Sequence, residues 1–68
     1  MTIQDWIDAG IEIQGAFTIR IFNEQFEWID DFVGNSMYSI PEKFKNKEIH
    51  YVFVEFDTLI IELIDMEN

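Results

Sequence analysis

The sequence predicts an α+β fold, in which a short N-terminal helix packs on a four-stranded, bent antiparallel β-sheet. Apolar residues recur with helical spacing in the first ten positions, alternate with polar residues over positions 11–21, and fill two strand-length runs near the C-terminus. The 68 residues form one small domain, residues 1–68, with room for only a modest core.

The first element is a helix, expected over residues 3–9. The apolar residues in this stretch have the i, i+3, i+4 spacing of one helix face. Thr2 followed three positions later by Asp5 is the acidic variant of a capping box, and Gly10 supplies the residue of positive φ at which helices commonly end. These signals define both ends of the helix.

The hydrophobic period changes after the helix. Apolar residues occupy nearly every odd position from Ile11 to Ile21, which predicts a strand with one buried face. Gly15 inside this stretch predicts a bulge or a bend. A turn at residues 22–25 leads to a second strand, which starts near Phe26.

The C-terminal half contains a turn and a hairpin. Pro41 is expected to open a short turn or helix near residues 41–46. Two strands follow, Glu48–Phe56 and Leu59–Ile64, joined by the two residues between them. Both are apolar on both faces, which is typical of strands covered on two sides.

One helix and four strands do not readily cover this much apolar strand surface. Two explanations are compatible with it. The sheet curls into a small half-barrel with the helix as a lid, or one apolar face is an interface with a partner or with a second copy in a homodimer.

The charge balance excludes several classes of ligand. There are 14 acidic and 4 basic residues, a formal charge of −10, and three of the basic residues lie in Lys43–Lys47. Direct binding to nucleic acid is not expected because phosphates repel such a chain, and anionic membranes repel it for the same reason. With no signal peptide and no uninterrupted apolar run of membrane-spanning length, we expect a cytoplasmic protein.

The sequence offers little for catalysis. His50 lies within a strand and is interpreted as a structural or edge residue. Ser36 and Ser39 lack the glycines of a nucleophile elbow, and no phosphate-binding glycine motif or calcium loop is present. We therefore expect no enzymatic activity, no cofactor and no metal.

The acidic residues are the candidates for a binding surface. Carboxylates at alternate positions of a strand lie about 6.6–6.8 Å apart on one face, a row that can resemble the spaced charges of a nucleic acid backbone. The residues expected to bind a basic partner are seven carboxylates and one tryptophan: Asp5, Asp8, Glu12, Glu24, Glu27, Trp28, Asp30 and Asp31. The alternative is that these carboxylates serve solubility alone.

The aromatic residues divide into two sets. Those at inward positions of the pattern are expected in the core: Trp6, Phe17, Tyr51 and Phe53. Those in weakly patterned regions are Trp28, Phe32, Tyr38 and Phe44. Members of the second set either serve as hot spots for a protein partner, ringed by acids, or close the open end of the sheet.

The layout of the chain resembles a known group of proteins. The short helix ends in Asp8–Ile11, Ile13–Gly15 precedes an alternating strand, and the turn Ile40–Glu42 leads to Ile49–Tyr51 and a closing strand at Ile60–Leu63. It is similar to small acidic proteins of phages, prophages and mobile elements of low-GC Gram-positive bacteria, some of which are anti-CRISPR or other anti-defence inhibitors. The resemblance spans nearly the whole chain through structural motifs and transfers no functional residue.

The resemblance implies an inhibitor in the host cytoplasm. Its partner would be a basic, nucleic-acid-handling protein such as a CRISPR-associated nuclease, whose channels are positively charged. The alternative reading is a structural or assembly protein that self-associates through the C-terminal hairpin.

Overall fold

The computed structural model describes residues 1–66. Its elements in chain order are α1 (Ile3–Asp8), β1 (Phe17–Phe22), β2 (Trp28–Gly34), a 3₁₀ helix (Met37–Ser39), α2 (Glu42–Lys45), β3 (Glu48–Glu55) and β4 (Thr58–Ile64). The α+β class, the N-terminal helix, the four-stranded sheet and the short helix after Pro41 are confirmed.

The strands lie in the order β2-β1-β4-β3. The two hairpins β1–β2 and β3–β4 are antiparallel, but the central strands β1 and β4 run parallel. The sheet is therefore mixed, which corrects the expectation of a wholly antiparallel sheet. Residue alternation could not reveal this, because parallel and antiparallel ladders share the same two-residue period.

Both ends of α1 follow from the sequence. The Asp5 backbone N–H donates to the Thr2 hydroxyl at 3.1 Å, and the Thr2 N–H donates to the Asp5 carboxylate at 2.9 Å, which completes the capping box. Gly10 has a φ of 80°, beyond the C-terminal end of the helix. The capping prediction is confirmed.

The first strand is shorter than the alternation suggests. It begins at Phe17, and positions 11–16 form an irregular connection from α1. None of these positions pairs with a strand of residues 1–66. Instead, the backbone N–H of Ile13 donates to the Met37 sulfur at 3.2 Å, and the Ile11 side chain is exposed. Gly15 has a φ of 100°, which places the predicted bend before the strand rather than within it.

The core lies between one face of the sheet and the helical segments. The sheet contributes Phe17, Ile19, Ile21, Ile61 and Leu63, and the helices and turns contribute Ile3, Met37, Ile40 and Phe44. We call this side of the sheet the covered face and the other side the open face. The apolar strand residues that this core does not cover lie exposed on the two edge strands, β2 and β3.

The predicted core aromatics are partly confirmed. Phe17 is fully buried and Trp6 and Phe53 are half-buried, but Tyr51 is 60% exposed because β3 is an edge strand. Among the aromatics with no clear pattern, Phe44 is buried and Phe32 packs against the core. No helix within residues 1–66 has the length and apolar character needed to cross a membrane.

Candidate functional site

The four basic side chains all form ion pairs with carboxylates of the same chain. The pairs are Arg20–Glu62 at 3.8 Å, Lys43–Asp30 at 3.0 Å, Lys45–Glu42 at 3.3 Å and Lys47–Asp65 at 3.4 Å. The lysine cluster therefore pairs with acidic residues of its own chain. Within residues 1–66, no lysine or arginine is left to form an ion pair with the remaining acids.

The remaining acids define the electrostatic surface. Within residues 1–66, the carboxylates outside the ion pairs are all exposed: Asp5, Asp8, Glu12, Glu24, Glu27, Asp31, Glu55 and Asp57. Such charges act beyond contact distance, and dissolved salt screens them.

The structure divides the eight predicted binding residues into two groups. Asp5, Asp8 and Glu12 belong to α1 and the connection after it, and α1 starts at the β3 edge, where Thr2 bridges Glu48. The other five lie on the β1–β2 turn and on β2, the opposite edge strand. We call this second group the Trp28 edge: Glu24, Glu27, Trp28, Asp30 and Asp31.

Trp28 is exposed and yet fixed in position. Its side chain is 56% exposed. The indole N–H donates to the backbone oxygen of Asp30 at 3.0 Å, and the ring centroid lies 6.4 Å from that of Phe22. The guanidinium carbon of Arg20 lies 5.1 Å from the indole centroid, a cation–π contact. These three contacts fix the orientation of the exposed indole.

The turn and the bulge explain why Trp28 sits there. The Asn23 carboxamide oxygen accepts hydrogen bonds from the backbone N–H groups of Gln25 and Glu27, each at 2.9 Å, which closes the turn without an Asn-Gly pair. In the ladder with β1, Trp28 and Asp30 pair with adjacent residues, so one residue, Ile29, is extra. Such a bulge re-aims side chains.

Asp30 contacts Trp28 through its backbone oxygen, and its carboxylate is itself hydrogen-bonded. The Lys43 ammonium donates to one carboxylate oxygen at 3.0 Å, and the Asp31 backbone N–H donates to the other at 2.8 Å. The hydrogen bond from Lys43 is the main cause that lowers the pKa of Asp30 below its ordinary value, and the bond from the Asp31 backbone adds to it. The charge of Asp30 is thus largely matched by Lys43.

Arg20 lies beneath this arrangement on the open face. It pairs in register with Asp31 on β2 and with Glu62 on β4. Its Nε is buried and has no hydrogen-bond partner within residues 1–66, although its terminal nitrogen reaches Glu62. The side chain therefore contributes to the Trp28 edge through its cation–π contact with the indole, while its charge is paired with Glu62.

Sequence reasoning missed a second exposed feature, at the β3–β4 turn. Phe56 is 92% exposed and lies between the unpaired acids Glu55 and Asp57. The available signal was a phenylalanine in a two-residue hairpin turn, where Asn-Gly or Asp-Gly is usual. His50 is exposed on the edge strand β3, beside a register shift and 5.6 Å from the Phe26 ring, so its predicted position within a strand is confirmed.

The search for metal-binding clusters and the comparison with known proteins both give negative results. Within the described residues 1–66, no group of three histidine, aspartate or glutamate side chains is arranged to hold a metal ion. Comparison with family models, curated proteins and solved structures finds no match to this chain.

Proposed function

We propose that this protein is an inhibitor that docks the Trp28 edge against a basic, nucleic-acid-handling protein. The class of partner that fits best is a nuclease with a positively charged channel, such as a CRISPR-associated nuclease of a phage-infected host. The observation that carries the proposal is the exposed, pre-positioned indole of Trp28 beside unpaired carboxylates.

The indole supplies the energetic anchor. Tryptophan is among the residues most enriched at interface hot spots, where truncation to alanine costs about 2 kcal/mol or more. Fixing a free side chain on binding costs about 0.5–1.5 kcal/mol, and the contacts with Asp30, Phe22 and Arg20 reduce that cost in advance.

The carboxylates supply direction. Glu24, Glu27 and Asp31 are exposed and outside the ion pairs, so they present negative charge around the indole. A basic channel attracts this surface at long range and would accept it in place of phosphates. Occupying that channel excludes nucleic acid, which makes the proposed outcome inhibition.

The test uses purified, guide-loaded CRISPR-associated nucleases and a labelled target DNA. The wild-type protein is expected to inhibit cleavage by at least one of them, and Trp28→Ala to weaken inhibition by about tenfold or more. Tyr38→Ala is the matched control, because Tyr38 is also an exposed aromatic, at 77%. Absence of binding to every nuclease at low salt, or equal inhibition by Trp28→Ala and wild type, would contradict the proposal.

A further inference from the structure

The outer side of β3 is an unpaired strand edge. β3 pairs with β4 on its inner side. On the outer side, residues 1–66 form backbone contacts only with the start of the strand. Thr2 forms a bridge with Glu48, and the Ile49 N–H donates to the Met1 backbone oxygen at 2.8 Å. Among residues 1–66, no strand lies beside Tyr51–Glu55 on that side. Its outward backbone groups are available for strand pairing.

The side chains along this edge are apolar and exposed. Tyr51, Val52 and Val54 are each more than two-fifths exposed, and Val54 is 69% exposed. Native edge strands are usually protected by a lysine, a proline or a covering loop, and Tyr51–Glu55 contains neither lysine nor proline. This edge is therefore suited to accept another strand.

The turn at the end of the edge carries a residue that the fold does not require. Phe56 has a φ of 51° and Asp57 a φ of 60°, the left-handed region that bulky side chains rarely adopt. Phe56 is strained there and buries almost none of its ring. Because Phe56 directly follows β3, its exposed ring could contact a chain that pairs with the free edge.

The charges around the edge select the kind of chain. Glu55 and Asp57 flank Phe56 and are outside the ion pairs. Each molecule carries a formal charge of −10, so a second copy on this edge would meet net electrostatic repulsion. A strand with basic side chains meets no such repulsion.

We propose that the free edge Tyr51–Glu55, with Phe56 as its anchor, binds an extended segment of a partner protein in which apolar and basic residues alternate. The segment adds to the sheet as a fifth strand; backbone hydrogen bonds hold it, and its apolar side chains contact Val52, Val54 and Phe56. The site is on the opposite edge strand from Trp28, so it does not depend on the proposed function.

The test is an NMR titration of the ¹⁵N-labelled protein with a synthetic peptide of alternating valine and lysine. Shift changes and slowed amide exchange are expected at Tyr51–Glu55, and a peptide of alternating valine and glutamate is expected to bind at least tenfold more weakly. Equal binding of the two peptides, or changes centred on β2, would overturn the proposal. Protection of Tyr51–Glu55 that rises with protein concentration, without peptide, would also overturn it by identifying a second copy as the occupant.

Two matched valines locate the site. Val54→Lys and Val33→Lys make the same change at residues 69% and 71% exposed, on the opposite edge strands β3 and β2. Val54→Lys is expected to weaken peptide binding about tenfold, and Val33→Lys less than twofold. Phe56→Asn removes the proposed anchor, and the protein stays folded because asparagine readily adopts the positive φ of this turn position. This variant is expected to bind the valine–lysine peptide more weakly. Unchanged binding by both Val54→Lys and Phe56→Asn would refute the site, and Trp28→Ala is expected to leave peptide binding intact.

Discussion

Replacing Phe56 by asparagine should stabilise the protein, although it removes an aromatic ring. Phe56 occupies the left-handed region with a φ of 51°. This conformation costs most L-residues roughly 1–2 kcal/mol, and asparagine is among the few that adopt it readily. The substitution therefore removes most of that strain from the folded state.

The apolar burial lost in Phe56→Asn is small. Full burial of a phenylalanine side chain contributes about 1.5–3 kcal/mol, but Phe56 is 92% exposed and retains only a small part of that. The relief of strain exceeds the lost burial, so we expect a net gain of about 1 kcal/mol in the free energy of unfolding. In a domain of this size, that corresponds to a rise of about 4–8 °C in Tm.

Thermal unfolding followed by circular dichroism at neutral pH measures this change. Tyr38→Asn is the control, because Tyr38 is similarly exposed but has no positive φ, and its Tm should rise by less than 2 °C or fall. A decrease of several degrees for Phe56→Asn would show that Phe56 contributes to folding. The inference that it serves a bound chain would then lose its basis.

Two further substitutions test the local structure. Thr2→Ala removes the hydroxyl that caps α1, and it should lower the free energy of unfolding by about 1 kcal/mol in urea denaturation; no loss would contradict the capping box. Lys43→Met should raise the pKa of Asp30 towards its ordinary value of 3.8, as measured by NMR titration of the carboxyl carbon. Because the native pKa is lowered, the Lys43–Asp30 pair stabilises the fold above about pH 3.8 and loses its effect as the pH falls through the lowered pKa. An unchanged Asp30 titration in the variant would contradict this ion pair.

Local signals predicted the elements better than their arrangement. The capping pair Thr2–Asp5 and the proline before α2 act over a few residues. The starts of α1 and α2 could therefore be predicted from the sequence. The parallel pairing of β1 with β4 depends on how positions 35–47 cross the covered face, and no short pattern encodes that path. The same limit explains Tyr51, whose exposure depends on β3 being an edge strand.

The candidate surface was predicted by composition and refined by geometry. The acids of the β1–β2 turn and β2 could be found from charge alone. The fixed orientation of Trp28 could not, because it depends on the bulge at Ile29 and on Arg20 from the neighbouring strand. Charge alone did not single out Glu55 and Asp57, because only the structure shows that they lie outside the ion pairs formed within residues 1–66.

We propose that the Trp28 edge, rather than the total negative charge of the protein, binds a basic partner. The most direct test compares Glu24→Lys/Glu27→Lys with Asp8→Lys/Glu12→Lys, since both pairs change the net charge equally and start from exposed carboxylates outside the ion pairs. Affinity for the inhibited nuclease, measured at low salt, should fall at least tenfold for the Glu24/Glu27 variant and less than threefold for the other. Equal losses for the two variants would contradict the claim.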